Sequence, residues 1–338
     1  MRIIDCEGYK LSDYKTLCKR GVIWLGQTCN LRCYFCYFTD KISSSCHPEH
    51  DFMPLEKAKK ICKTLVEVYG NNAVDIQGGE PTLYPHLCDL LEYANGIGLK
   101  PTLITNAVAL SDKEKCRNLK NADIFDLLIS IHALGETYDK IVRVPGASER
   151  QMKGIDHCVE TGIPFRINIT LTQEALSQLD SILRLSVSKK ARAVNFIAFN
   201  PFVDQSQPEA RNREAIPLYT EIARILMPAL DFLEENKIEA NVRYLPFCVF
   251  PEKYRKFVQN FQQITYDLHE WEAAGEIWCG APSQRQAKMD LSEPIDFLEH
   301  LLRLRQAYLS KETPHFKERM QEKIKGMLRH CPDRKSVV

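Results

Sequence analysis

Residues 21–26 read Gly21-Val22-Ile23-Trp24-Leu25-Gly26, a short and almost wholly apolar run closed by glycine at each end. A strand with one wet face alternates polar and apolar side chains, so a run like this one belongs to a strand covered on both faces. Similar runs return along the chain, at 73–77, 101–105, 126–131, 164–171 and 193–198, with cores VDI, TLI, LLISI, INITL and NFIAF. Each is followed by a stretch of helical periodicity, and the spacing of roughly thirty residues is that of βα units feeding a parallel sheet. Six such units predict an α/β fold, a partial TIM-like (β/α)6 barrel of parallel strands.

The helices between them carry ordinary punctuation. Pro54 suits a first helical turn, Leu55, Ala58, Ile61, Cys62, Leu65, Val66 and Tyr69 mark one apolar face, and Gly70-Asn71 supplies a stop. Ser111-Asp112 opens a further helix and Gly162 closes one over 148–161. From about Asn212 the rhythm weakens: a long helix containing Pro217 and Pro228 reaches Asn236, a strand is expected at 240–245, and helices dominate the remainder. The expected organisation is an N-terminal segment at 1–20, the barrel at 21–245, and a mainly helical C-terminal extension at 246–338 that shapes the substrate site.

Of 338 residues, 44% are hydrophobic and 26% charged, the balance of a soluble globular protein. Lys and Arg number 45 against 44 Asp and Glu, which leaves no global field to favour nucleic acid. No run of about 18 apolar residues predicts a membrane span, and the polar N-terminus does not read as a signal peptide. A cytoplasmic protein is expected. Thirteen cysteines without an export signal predict reduced thiols, some buried and some binding metal, in place of a disulfide framework. The basic stretch at 310–335 reads as a solvated helix.

Directly after the first strand the chain runs Gln27-Thr28-Cys29-Asn30-Leu31-Arg32-Cys33-Tyr34-Phe35-Cys36-Tyr37, three thiols at C-x3-C-x2-C spacing. Close-set thiolates on one loop wrap a corner of an iron–sulfur cube, and three leave the site one ligand short. A closed zinc site takes four ligands, usually in two C-x2-C pairs, and no second pair lies nearby. An iron without a protein ligand is free to take a small molecule.

This loop resembles the signature of the radical S-adenosylmethionine superfamily, with Phe35 in its aromatic position. The resemblance implies one 4Fe-4S cluster on Cys29, Cys33 and Cys36, with the amino and carboxylate groups of S-adenosylmethionine on the fourth iron and Phe35 near the adenine. It extends over roughly residues 20–200. Gly78-Gly79-Glu80-Pro81 resembles the family's GGEP motif, whose backbone receives the methionyl ammonium, with Glu80 organising the loop. Paired glycines also let backbone approach a ligand that a β-carbon would exclude. Asn106 stands in the family's T-N-G segment, with Ala107 replacing the glycine. Ser130, followed by Ile131 and His132, falls where relatives contact cofactor carboxylate or ribose. Arg143, after Tyr138-Asp139, is placed to pair with the cofactor carboxylate. Asn168 alternates with Ile167 and Ile169 and so faces away from them. The cysteines, Gly78–Pro81, Asn106, Ser130 and Asn168 all lie at or just past strand C-termini, the edge where α/β barrels gather their ligand sites.

The chemistry this implies is reductive cleavage of S-adenosylmethionine to a 5′-deoxyadenosyl radical that abstracts hydrogen from a substrate. A small polar metabolite is expected as that substrate, with an electron donor such as flavodoxin or ferredoxin. Two alternatives stand beside it: a peptide-modifying enzyme of the same superfamily, and a non-catalytic iron–sulfur or zinc protein that transfers electrons. Residues 241–248 and 260–271 interleave aromatic and polar side chains as pocket linings do. Asp267, His269 and Glu270 are candidate general acids or bases there. Cys248, Cys279 and Cys331 are too scattered for the clustered pattern of an auxiliary cluster, and Cys46-His47-Pro48-Glu49-His50 reads as a polar loop over the cluster.

Overall fold

The computed structural model describes residues 20–36, 52–199 and 216–259, together with the backbone of three short strands at 10–12, 15–16 and 264–266. Strands β1 (Lys10–Ser12) and β2 (Lys15–Thr16) pair as an antiparallel hairpin. The main sheet is built from β3 (Arg20–Trp24), β4 (Ala73–Gln77), β5 (Lys100–Thr105), β6 (Asp126–Ser130), β7 (Phe165–Leu171), β8 (Ala193–Ala198), β9 (Glu239–Arg243) and β10 (Ile264–Tyr266). Their order is β10-β3-β4-β5-β6-β7-β8-β9 and every pairing is parallel. The six strands expected from sequence are the middle six. The sheet continues at one margin with β9, one residue ahead of the expected strand, and at the other with β10, from the segment set apart as an extension.

Helices α1 (Leu55–Glu67), α2 (Leu87–Gly96), α3 (Lys113–Asn121), α4 (Gly135–Val142), α5 (Ala147–Thr161), α6 (Gln173–Ser177), α7 (Leu179–Ser188), α8 (Tyr219–Glu235) and α9 (Glu252–Arg255) fill the connections. Asp112 caps α3 by accepting the Glu114 N–H, and Gly162 ends α5 in the left-handed conformation. The long helix α8 begins at Tyr219, so Pro217 lies before it, while Pro228 sits inside. Among the described residues no helix is long and apolar enough to cross a membrane.

Alternate strand residues point to opposite sides. One set, including Ile23, Ile76, Leu103, Leu127, Ile129, Ile167, Ile169, Val194, Phe196 and Val242, joins the buried faces of the helices in one large apolar core. The other set includes Arg20, Asp75, Thr102, Asp126, Arg166, Asn168, Asn195, Asn241 and Arg243. The sheet curls around this second set: Arg243 on β9 lies within the electrostatic reach of Asp75 on β4 and Arg20 on β3. In a flat sheet the five steps from β4 to β9 would span about 24 Å.

Candidate active site

The cysteine loop leaves β3 at the C-terminal edge of the sheet and is held there by its neighbour. Gly79 N–H donates to the Gly26 carbonyl at 2.9 Å, and Glu80 N–H to the Thr28 carbonyl at 2.8 Å. A β-carbon at Gly79 would lie 2.2 Å from the Thr28 oxygen, and one at Gly78 would lie 2.7 Å from the Gly26 oxygen. The space these glycines leave is therefore filled by the backbone of the cysteine loop itself. Gly78 also has φ +152, a conformation that side-chain-bearing residues rarely adopt.

Glu80 is fully buried and joins three segments. It accepts from Thr82 N–H (3.0 Å) and Thr82 Oγ1 (2.5 Å), from Thr105 Oγ1 (2.6 Å) and from Asn106 N–H (2.7 Å). Burial pushes its carboxyl upward and these four donors oppose the rise. Pro81 opens a buried helical turn immediately after. Asn106 reaches back to the cysteine loop, with Nδ2 donating to Asn30 Oδ1 at 2.8 Å, while its Oδ1 accepts from Val108 N–H. Ala107 takes the left-handed conformation (φ 59, ψ 3) that its glycine counterpart would supply without strain. Its N–H is held by Thr105 Oγ1.

On its far side the loop hangs from the end of α4. Arg32 N–H and Tyr34 N–H donate to the carbonyls of Val142 and Ile141, which have no partner inside the helix. Beneath it lies a second, smaller apolar cluster of Leu31, Phe35, Val108, Ala133, Tyr138, Ile141, Val142, Ala147 and Phe199, with Cys29 and Cys33 packed against it. Phe35 meets the His132 ring edge to face at 4.7 Å. Burial pulls the His132 imidazole down to about 4, and its Nδ1 accepts the Thr170 N–H at 3.1 Å, so the ring is the neutral Nε2–H form. The Leu31 N–H points at Cys29 Sγ, 3.4 Å away.

Burial pushes the Cys29 thiol up to about 12, with Glu80 and Cys36 adding to the rise. Burial raises Cys33 as well; Cys36 and Cys29 reinforce it and the Arg143 guanidinium opposes it. Thiols held neutral by burial, as Cys29 and Cys33 are, become thiolates when a cationic centre is bound to them. Among the described residues no three His, Cys, Asp or Glu side chains converge on a single ion. Cys29, Cys33 and Cys36 lie within electrostatic reach of one another on one loop, a set of three sulfur donors of the kind that iron–sulfur clusters take. The donor set and the apolar seat fit that group.

Ser130 ends β6, and its carbonyl accepts from Gln151 Nε2, which also binds the Asn106 carbonyl and Tyr138 Oη. Asn168 is directly opposite Ser130 in register. It is 8% exposed, and its Oδ1 is buried with no hydrogen-bond partner. Arg143 is exposed in a left-handed turn at the end of α4. Asp139, two residues after Thr137, instead caps α5 by accepting from Gly146 and Ser148 N–H. Asp267, His269, Glu270, Cys279, Cys331 and residues 46–50 lie outside the described residues; Cys248 is described, partly buried and not in a disulfide.

Further polar groups line the same side of the sheet. At its base Arg20 pairs with Asp75 (2.6 Å), and Arg166 pairs through two nitrogens with Asp126 (2.8 and 2.9 Å), which also accepts from Thr102 (2.8 Å). Above them Asn195 stands in register with Asn168 on one side and Asn241 on the other. Asn195 was hidden in the apolar run NFIAF, and only alternation along β8 could have singled it out. Gln27, at the root of the cysteine loop, has both side-chain polar atoms buried without a partner.

Residues 25–185 match the family model of the radical SAM superfamily. The chain is 29% identical over 193 residues to an AdoMet-dependent heme synthase of Oleidesulfovibrio alaskensis, a match covering 56% of this chain and 48% of that one. It is 26% identical over 201 residues to a probable GTP 3′,8-cyclase of Sulfurisphaera tokodaii, covering 59% of each. The fold is similar to SuiB of Streptococcus suis, solved bound to S-adenosylmethionine, with a TM-score of 0.56 at 20% identity over 73% of this chain and 54% of that one. The chain spans about half the length of the relatives it matches.

Proposed function

Residues 25–185 are a radical SAM domain, and from that premise we propose that Cys29, Cys33 and Cys36 hold a single 4Fe-4S cluster at which S-adenosylmethionine binds. The chemistry that group supplies when bound is one-electron cleavage of S-adenosylmethionine to methionine and a 5′-deoxyadenosyl radical, which takes hydrogen from a substrate. The observation that carries this reading is the three-thiol loop itself, seated on apolar side chains at the sheet edge and tied to residues 79, 80 and 106.

The protein's own work is to orient and to exclude water. Gly78, Gly79, Glu80 and Pro81 set the height of the cysteine loop, and their backbone borders the seat where the methionyl ammonium binds. Glu80 and Asn106 act through the loops they fix. Phe35, backed by His132, offers an apolar face to the adenine. Ser130 faces the inner side of the sheet as a ribose or carboxylate partner, the orphaned Asn168 Oδ1 as an acceptor for a ribose hydroxyl, and Arg143, near Cys33, offers a guanidinium to the cofactor carboxylate. The polar inner face supports a small polar metabolite as substrate, with residues 246–338 shaping its pocket and a one-electron donor protein reducing the cluster.

Anaerobically reconstituted protein given dithionite and S-adenosylmethionine is expected to release 5′-deoxyadenosine, detected chromatographically. Cys33→Ser should abolish both that product and the cubane EPR signal. A wild-type signal indifferent to S-adenosylmethionine, with no nucleoside formed, refutes the proposal.

A further inference from the structure

Arg243 is the last residue of β9 and shares the inner face with Asn241. Its guanidinium makes no ion pair and no hydrogen bond among the described residues, and its Nε is buried. The carboxylate that acts on it electrostatically does not answer it, because Asp75 is held by Arg20 at 2.6 Å. Burial disfavours the charged form. Its exposure is intermediate, and a part-buried guanidinium without a partner among the described residues is a costly group, retained where something outside those residues completes it.

The groups beside it are incomplete in a complementary way. Asn241 is 5% exposed, and its Nδ2 donates to Asn195 Oδ1 (3.1 Å) and Glu239 Oε1 (2.8 Å). Those two bonds fix the amide's orientation and leave Asn241 Oδ1 buried without a donor. Asn168 Oδ1, two strands away in the same row, is left likewise. The row thus presents a planar, two-pronged donor next to bare acceptors.

We propose that this row is the substrate's anchoring site, and that the substrate is a small molecule carrying an oxyanion, a carboxylate or a phosphate, gripped by Arg243, with a hydroxyl or amino hydrogen donated to Asn241. A guanidinium meets either anion with two parallel N–H bonds. The inference rests on the radical SAM reading only for the role of the ligand as substrate; the site itself stands on the unpartnered groups.

The test is thermal unfolding of the full chain, purified anaerobically, without S-adenosylmethionine, in chloride buffer of constant ionic strength. Inorganic phosphate is added in one arm and acetate in the other. With neither anion, Arg243→Met is expected to unfold higher than wild type, by about 2–4 °C, because a part-buried charge without a partner is removed. One of the two anions should raise the wild-type midpoint and leave Arg243→Met unmoved, and which one does so separates phosphate from carboxylate. A lower midpoint for Arg243→Met without anion makes the guanidinium a structural prop and overturns the proposal, as does an equal response of both proteins or no response of the wild type. Because no nucleoside formation is read, failure here is distinct from failure of the cofactor assignment.

Discussion

Strand β8 shows how differently the two sides of one sheet are built. Val194 and Phe196 are fully buried with Ile182, Leu226 and Leu230, part of a continuous apolar core between strands and helices. Between them Asn195, only 2% exposed, faces the other way, toward Asn241 and the guanidinium groups. The same contrast holds on β7, where Ile167 and Ile169 flank Asn168, and on β9, where Val242 separates Asn241 from Arg243. On these three strands the packed-side residues are apolar and close-packed, whereas on the other side Asn168 Oδ1, Asn241 Oδ1 and Arg243 Nε are buried without a hydrogen-bond partner. Deep burial with open valences marks where a molecule is meant to enter; deep burial with closed ones marks what holds the walls up.

The contrast can be broken at three points. The largest effect belongs to the packed side: Phe196→Ala should lower the free energy of unfolding by about 3–5 kcal/mol in urea, through lost transfer energy and a cavity. A loss under about 1 kcal/mol would mean that this face is far less tightly packed than its exposure indicates.

The second point is His132, at the lip between the two sides. Its folded pKa is about 4, against about 6.5 unfolded. It contributes no instability above about pH 6.5. Below that the unfolded chain takes up the proton first, so stability falls until about pH 4, by roughly 3 kcal/mol in all. Unfolding at pH 7 and at pH 4.5 should show wild type losing more than His132→Gln; equal losses would place the imidazole in contact with water.

The smallest effect on stability belongs to the open side. Asn168→Leu replaces an unsatisfied amide by an apolar group of similar shape, so the unfolding free energy should stay within about 1 kcal/mol of wild type while 5′-deoxyadenosine formation falls. A large destabilisation would show that Asn168 is a structural member after all.

The packed side was legible in the sequence and the open side much less so. Apolar runs such as LLISI and INITL locate strands because continuous hydrophobicity is a local property, and the spacing of Cys29, Cys33 and Cys36 is equally local. The alignment of Asn168, Asn195 and Asn241 depends on register across three strands separated by helices, and no single stretch of chain contains it. Asp126 and Arg166 are a similar case, forty positions apart and joined through two hydrogen bonds. Ala107 shows a third kind of gap. Its side chain argues against a left-handed turn, yet Thr105 Oγ1 and the buried setting hold it there against a penalty of about 1–2 kcal/mol. Gly154 lets α5 close over that turn, since a β-carbon there would lie 2.3 Å from the Ala107 oxygen.

The contact between Gly79 and the Thr28 carbonyl ties two stretches of chain about fifty residues apart into one rigid corner. Two hydrogen bonds and a glycine-sized gap set the posture of the three-thiol loop. A side chain at position 79 would have nowhere to go but into that backbone, so a single added methyl group would tilt all three sulfurs at once.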